Sequence, residues 1–234
     1  MPRGAWRRCR YPGRLIAPVH DQSSAKTHVR DLIAFVEGLD AGPVHLVTWS
    51  YSGGIGAHAA LRRPELFRSI VHYEPSIESL LTGLPGSDNA TKELRSHFGP
   101  AVTAAKENRP EEAALRLIEA VFKLPVAGAL AESEMAVKMW RENGRTVKPW
   151  LAMDPAEPLS CEAFSKLEVP TLVVQGTDTY TWFSMIAEQL VNCQPNATLA
   201  TLPGVNHDGP YRAPDLFAPV IESFISSVPV TPGN

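Results

Sequence analysis

The chain is poor in cysteine and has no long apolar run. Its three cysteines, Cys9, Cys161 and Cys193, lie far apart and without metal-ligand spacing. This spacing argues against a disulfide framework or a zinc site and favours a reducing compartment. No stretch of about 18 apolar residues is present, and the arginines near the N-terminus are not followed by the apolar core of a signal peptide. We therefore expect a cytoplasmic protein with no membrane partner.

The chain also lacks a strong excess of charge of either sign. Its 22 Lys and Arg residues and 25 Asp and Glu residues give a formal net charge of -3 over 234 residues. Such a balance leaves no electrostatic footprint for nucleic acid. The hydrophobic fraction of 44% is enough for one globular domain with an ordinary core. We expect a small-molecule substrate, no nucleic-acid partner, and a possible homo-oligomer.

What the chain does contain is an abrupt strand–turn–helix junction. Residues 44–49 form a short apolar run rich in β-branched side chains, and residues 51–63 are rich in Ala, Leu and Arg. Ser50 lies at the turn between them. A turn this tight strains the backbone and presents its side chain above the sheet, beside the N-terminus of the helix. Ser50 is therefore a candidate nucleophile, and the alternative is an ordinary junction that happens to contain a turn serine.

The rest of the chain alternates between helical and strand patterns. A helix over 24–39 precedes the junction, and a second strand follows it at 69–73. The later elements are helices around 89–107, 110–123 and 130–143, strands at 171–175 and 197–202, and helices over 182–190 and 215–225. This order predicts an α/β fold with a parallel sheet, helices on both faces and an inserted helical region. We divide it into core residues 1–75, an insertion at 76–168 and core residues 169–234.

The junction resembles the nucleophile elbow of the α/β-hydrolase superfamily, Gly-x-Ser-x-Gly. The five matching residues are Thr48-Trp49-Ser50-Tyr51-Ser52, so both glycines are replaced, although Gly53 and Gly54 follow at once. A common family sequence, Leu-Val-Gly-x-Ser-Tyr-Gly-Gly, aligns without a gap to residues 46–53 and favours Ser50 as the nucleophile. Ser52, followed by two glycines, is the alternative. The closing pattern at 202–210, Leu-Pro-Gly-x-x-His-Asp-Gly-Pro, also resembles the family.

The resemblance implies a catalytic triad of Ser50, Asp178 and His207, in the chain order of the family. Serine needs a neutral imidazole to take its proton, and the imidazolium that forms needs a carboxylate. The backbone N–H of Tyr51 is implied as an oxyanion-hole donor.

The identity of the acid stays open between two residues. Family members usually carry it one residue beyond Asp178, where this chain has Thr179. Glu74, at the end of the second strand, is therefore an alternative acid, although Glu74-Pro75 also reads as a strand terminator. We interpret Asp208, beside the candidate histidine, as a solvated loop charge.

The resemblance begins at about residue 10, and the strands that precede the first helix in the family are not found. In the family a loop after the third of those strands carries a His-Gly-type motif with the second oxyanion donor. Residues 1–22 contain neither and are interpreted as a loop. We therefore expect an N-terminally incomplete α/β-hydrolase fold in which the strand at 44–49 lies at a sheet edge.

Two functional hypotheses follow from this resemblance. The first is a serine hydrolase without cofactor or metal, with a helical cap, that cleaves a small-molecule ester, lactone or similar acyl bond through an acyl-serine intermediate. The second is a shortened non-catalytic relative that binds a small ligand or another subunit. Four residues of the insertion are candidates to line a substrate pocket: Phe122, Trp140, Trp150 and Met153.

Overall fold

The computed structural model describes residues 24–154 and 156–229, so the interpretation of residues 1–22 lies outside the described residues. Within that part the strands are β1 (Val44–Trp49), β2 (Phe67–Tyr73), β3 (Thr171–Gly176) and β4 (Ala197–Leu202). The helices are α1 (Ala25–Gly38), α2 (Tyr51–Arg62), α3 (Ser87–Lys106), α4 (Pro110–Val121), α5 (Glu134–Asn143), α6 (Val147–Leu151), α7 (Cys161–Ser165), α8 (Thr181–Cys193), α9 (Gly209–Arg212) and α10 (Pro214–Ser227).

The four strands form one parallel sheet in the order β1-β2-β3-β4. At the carboxyl end Trp49 pairs with Tyr73, and in the next ladder Tyr73 pairs with Val174. In the last ladder Gly176 pairs with Leu202. Because all strands run the same way, the loops that follow them meet at one edge of the sheet. The predicted α/β-hydrolase-like parallel sheet is confirmed.

The sheet is covered on both faces because alternate side chains point to opposite sides of each strand. On one face Ile70 and Val173 pack in a cluster with apolar side chains of α1, α2 and α8. On the other face Val71 and Val174 pack in a cluster with Phe217 of α10. Buried side chains on both faces explain why apolar residues are consecutive in these strands, as in Ile70-Val71 of β2 and Leu172-Val173-Val174 of β3.

Strand β1 has a hydrogen-bonded neighbour on one side only within the described residues. Val47, which points to the face of α10, is 45% exposed. On the other face Leu46 packs against the core. The strand therefore lies at an edge of the described sheet, as the sequence predicts.

The described residues between β2 and β3 contain helices and short 3₁₀ turns but no strand. Helix α3 packs on α4, and α4 packs on α5. Small side chains allow α3 and α4 to approach closely, since Ala104 and Ala105 meet Ala113 and Ala114 in one buried cluster. We call residues 76–168 the helical insertion below.

A disulfide joins Cys161 of α7 to Cys193 at the end of α8, with the two Cα atoms 4.9 Å apart. The expectation that these cysteines do not pair is therefore wrong. The two cysteines are 32 residues apart in the sequence, but α7 packs directly against α8 and brings them together. The bond ties the end of the helical insertion to the core.

A buried histidine lies beneath the turn between β1 and α2. His72 is 1% exposed, and its Nδ1 is 2.6 Å from the hydroxyl of Thr48 in a hydrogen bond. Burial lowers the pKa of His72 from 6.5 to about 4. The imidazole is therefore neutral in the folded protein at neutral pH, and protonating it opposes folding.

We predict that His72 makes the protein less stable in acid. The unfolded chain takes up this proton below its ordinary pKa of 6.5, whereas the folded protein does so only near a pKa of about 4. The stabilising contribution is complete above pH 6.5 and is lost as the pH falls through this window, by about 3 kcal/mol in total. Urea unfolding across this range should show a flatter pH dependence for His72→Gln than for the natural protein. The exposed His97→Gln is the control, and equal slopes for all three proteins would contradict the prediction.

Candidate active site

Ser50 occupies a strained turn between β1 and α2. Its backbone has φ 57° and ψ −123°, in the region that non-glycine residues rarely adopt. Its N–H donates to the carbonyl of Tyr73 at 3.0 Å, and its own carbonyl accepts the N–H groups of Gly53 and Ser76 at 2.9 and 3.0 Å. Its hydroxyl does not cap α2. The turn therefore holds Ser50 in the conformation expected of a nucleophile elbow.

The glycines of this turn appear at different places from the family pattern. Gly53 touches the β2 end so closely that a Cβ there would lie 2.4 Å from the Cβ of Pro75. Thr48 replaces the first glycine of the family pattern, and its methyl group fills the space beside Gly56. A Cβ on Gly56 would lie 2.8 Å from this methyl group. The chain accommodates the bulkier threonine because a later helix position is a glycine.

The hydroxyl of Ser52 is occupied by the backbone of Trp49. It accepts the N–H of Trp49 and donates to the carbonyl of the same residue, both at 2.8 Å. A hydroxyl held in this way satisfies polar groups at the end of the edge strand. Of the two serines, Ser50 is the one whose surroundings suit a nucleophile.

Tyr51 is the first residue of α2, where a backbone N–H has no acceptor within the helix. This N–H follows the candidate nucleophile and lies at the positive end of the helix dipole, as an oxyanion donor requires. The Tyr51 hydroxyl is 2.9 Å from Nδ1 of His28 in a hydrogen bond, and burial raises the pKa of the phenol. The loop expected to supply a second donor would precede α1, outside the described residues.

His207 and Glu74 form a buried pair at the same edge of the sheet. Nδ1 of His207 is 2.8 Å from Oε2 of Glu74, and the two residues are 2% and 0% exposed. The Glu74 carboxylate also accepts the Thr179 hydroxyl at 2.7 Å and the Gly176 N–H at 2.9 Å. Glu74 itself has φ 41°, so a second strained residue follows an adjacent strand.

Asp178 does not reach His207. Its side chain is exposed and accepts the hydroxyl of Thr177 at 2.9 Å, while its N–H donates to the carbonyl of Val205 at 3.0 Å. The expectation that Asp178 partners His207 is corrected, because the longer side chain of Glu74 approaches the imidazole from the neighbouring strand. The alternative acid of the sequence analysis is the one that the structure places in contact.

Asp208 is also placed differently from the sequence interpretation. It is 4% exposed and forms an ion pair with Arg212 one helical turn later. Burial raises the pKa of the Asp208 carboxyl, and the hydrogen bond from Arg212 opposes that rise. Asp208 is a buried structural charge rather than a solvated one.

The sequence analysis assigned no role to three residues that contact the Glu74–His207 pair. Thr179 donates to the carboxylate, and Trp49 donates its indole N–H to the His207 carbonyl at 2.9 Å. Phe183 stacks on the imidazole with ring centroids 4.1 Å apart. The spacing of a helix or strand gives no signal for such contacts, because they join residues far apart in the chain.

A cavity of about 580 Å³ lies beside the first turn of α2. Its wall includes Tyr51 and Ile55 on the core side and Trp150 and Met153 from the helical insertion. A cavity of this size suits a small organic molecule, and its wall combines aromatic and apolar side chains with the carboxyl groups of Glu78, Asp154 and Glu157.

The other two pocket candidates of the helical insertion pack elsewhere. Phe122 stacks on Trp49 at 6.2 Å between centroids, and Trp140 meets Phe122 edge to face at 6.4 Å. Both belong to a separate buried cluster. They connect the helical insertion to the residue that precedes Ser50.

Across residues 24–154 and 156–229, no group of three or more His, Cys, Asp and Glu side chains is placed to hold a metal ion. In the same ranges no helix is long and apolar enough to cross a membrane.

The contacts of His207 predict a spectroscopic signature that does not depend on activity. A proton shared between Nδ1 and a buried carboxylate should give a strongly downfield proton NMR signal. We expect Glu74→Gln to abolish this signal and the matched Asp178→Asn to retain it. The reverse result would return the role of partner to Asp178.

Comparison with known proteins identifies the fold family. The chain matches the Alpha/beta hydrolase family over residues 7–220. It is also 26% identical over 226 residues to the polyketide synthase ThaQ of Burkholderia thailandensis, a match that covers 90% of this chain and 10% of that protein. The chain thus spans about a tenth of the length of this relative.

Solved structures share the same architecture. A carboxylesterase of Nitrososphaera gargenis superimposes with a TM-score of 0.67 at 16% identity, over 90% of this chain and 74% of that one. A hydrolase from Oleispira antarctica has a TM-score of 0.66 at 15% identity, over 87% and 72% of the two chains. CarC, a serine hydrolase involved in carbazole degradation, has a TM-score of 0.56 at 20% identity, over 89% and 73%. With the family match over most of its length, the chain belongs to the alpha/beta hydrolase family.

Proposed function

We propose that the protein is a serine hydrolase that cleaves an ester, lactone or similar acyl bond of a small molecule through an acyl-Ser50 intermediate. Family membership supports a hydrolytic function. The observation that carries the proposal is the buried Glu74–His207 hydrogen bond, at the same sheet edge as the strained turn of Ser50. This arrangement provides a nucleophile after β1, an acid after β2 and a base after β4, all at the carboxyl edge of the sheet.

The chemistry follows from the state of the His207 imidazole. The Glu74 carboxylate can only accept a hydrogen bond, so Nδ1 of His207 carries the proton that it donates. Nε2 therefore has no proton and can act as the base. Nε2 takes the Ser50 proton as Oγ attacks the substrate carbonyl carbon, and the Tyr51 N–H stabilises the oxyanion. His207 then gives the proton to the leaving alcohol. Water, deprotonated by the same nitrogen, hydrolyses the acyl-Ser50 ester and releases the acid.

Glu74 is the acid of this mechanism. It stabilises the imidazolium that forms when the serine proton moves. The Gly176 N–H and the Thr179 hydroxyl donate to the same carboxylate and hold it in place. The Glu74 oxygen that bonds His207 also bonds Thr179. Thr179 therefore occupies the position that carries the acid in most of the family. In this protein it donates a hydrogen bond to the acid, Glu74.

The helical insertion supplies the substrate site in this proposal. Trp150 and Met153 line the cavity beside Tyr51, so an acyl chain bound there lies close to the proposed oxyanion donor. Lys123 of the insertion donates to the carbonyls of Asp178 and Thr179 at 2.9 and 3.3 Å. These contacts join the insertion to the loop of Thr179, which donates to the Glu74 carboxylate, and they support its role as a cap.

The structural relatives offer a starting point for the choice of test substrate. The Nitrososphaera gargenis protein is a carboxylesterase, and CarC is a serine hydrolase. We therefore test the proposal with simple activated esters. The non-catalytic alternative predicts that none of them reacts with the chain.

We predict that a fluorophosphonate probe labels Ser50, because this hydroxyl combines the elbow turn with a proton acceptor. Peptide mapping by mass spectrometry should find the label on Ser50 and on no other serine. Ser50→Ala should abolish labelling, and the control Ser52→Ala should retain it. Labelling at Ser52 would move the nucleophile, and a folded protein that resists labelling would support the non-catalytic alternative.

A second prediction concerns the acid. Glu74→Gln should lower kcat for p-nitrophenyl butanoate by about 10³–10⁴, because the imidazolium loses its carboxylate. Asp178→Asn, the matched control, should stay within about threefold, since its side chain is exposed and does not touch His207.

The same geometry predicts a rescue. An aspartate at position 179 would place an oxygen near the site that Oε2 of Glu74 now occupies, because the two side chains are 2.7 Å apart. Glu74→Ala with Thr179→Asp should recover at least about tenfold of the kcat lost in Glu74→Ala alone. Failure of both Glu74 variants to lose activity would remove Glu74 from the mechanism.

A further inference from the structure

Phe183 lies flat against the imidazole of His207. The ring centroids are 4.1 Å apart and the planes differ by 13°, and both residues are 2% exposed. Trp49, the other aromatic ring near His207, is 6.0 Å away and tilted by 53°. Phe183 is therefore the ring that sets the plane of the imidazole.

The hydrogen bond to Glu74 alone does not fix the direction of Nε2. It fixes the position of Nδ1, but the ring can still turn about that point as its side-chain torsions change. The indole N–H of Trp49 holds the His207 backbone, at its carbonyl, and leaves the ring free to rotate. Contact with a flat neighbour removes this remaining freedom, because the imidazole cannot tilt without overlapping the phenyl ring.

Phe183 is itself held firmly. It lies in the first turn of α8, where its N–H donates to the carbonyl of Tyr180 at 3.0 Å. Its ring meets Trp182 edge to face at 5.0 Å. The far end of α8 is fastened by the disulfide between Cys193 and Cys161. The phenyl ring is therefore a rigid surface for the histidine.

We propose that Phe183 is a positioning residue, which orients the His207 imidazole toward Ser50 and stabilises the imidazolium through its ring face. This inference rests on the proposed function, because it assigns a role relative to Ser50. A ring face attracts a cation, so the stacked phenyl favours His207 most when it carries the second proton. Phe183, like Ser50 and His207, is not among the residues that line the 580 Å³ cavity, so its replacement should change kcat more than KM.

The test separates kcat from KM with p-nitrophenyl butanoate. Phe183→Leu should lower kcat about tenfold with KM within about twofold, since the imidazolium loses its ring contact. Phe183→Tyr keeps the ring and should retain at least half of the kcat of the natural protein. Phe183→Met nearly keeps the side-chain volume but loses the ring. It should therefore also lower kcat about tenfold, and it tests the proposal even if Phe183→Leu folds poorly.

The matched control is Phe164→Leu. Phe164 is fully buried on α7, in the same core cluster as Phe183, and has no ring contact with His207. It should lose a similar amount of thermal stability with kcat unchanged. Equal kcat for the Phe183→Leu, Phe183→Met and Phe164→Leu variants would overturn the proposal.

A second readout does not depend on turnover. The downfield proton signal of the His207–Glu74 hydrogen bond should broaden or weaken in Phe183→Leu and persist in Phe164→Leu, because a tilting imidazole weakens that bond. If the natural protein is not labelled at Ser50, the proposed function fails, and this signal still decides whether Phe183 positions the ring. An unchanged signal in both Phe183→Leu and Phe183→Met would overturn the proposal.

Discussion

The site depends on keeping one carboxylate, that of Glu74, out of water. A buried carboxylate without partners costs several kcal/mol, so it persists only where donors surround it. The three donors here come from Gly176 at the end of β3, Thr179 in the loop after β3 and His207 in the loop after β4. The charge of Glu74 therefore draws these loops together, and the proposed base is held by the same interaction that makes the burial tolerable.

The parallel sheet makes this convergence possible and also holds its strain. Ser50 and Glu74 both have positive φ, each at a cost of about 1–3 kcal/mol. Hydrogen bonds across the strand ends maintain these conformations, since the Ser50 N–H donates to the Tyr73 carbonyl and the Glu74 N–H donates to the Val174 carbonyl. Rigid strands thus keep two unfavourable backbone conformations next to each other, at the residues that the proposed mechanism uses.

The helical insertion is joined to the same loops and not only to its own core. Lys123 donates to backbone carbonyls of residues 178 and 179, and the side-chain amide of Asn206 donates to the Phe122 carbonyl at 3.2 Å. Glu132 pairs with Arg212 across the same boundary. These bonds connect the proposed substrate side to the loops that carry Thr179 and His207, so substitutions in the insertion can alter the geometry of the proposed triad.

Local patterns in the sequence determined the order of strands and helices, the tight turn at Ser50 and the loop position of His207, because periodicity and turn composition act over a few residues. They did not decide between Asp178 and Glu74, since each follows a parallel strand. They also gave no sign of the Cys161–Cys193 bond or of the ring of Phe183 on His207. Only the tertiary structure decided these, because they depend on the length and direction of side chains that strand register and helix packing bring together.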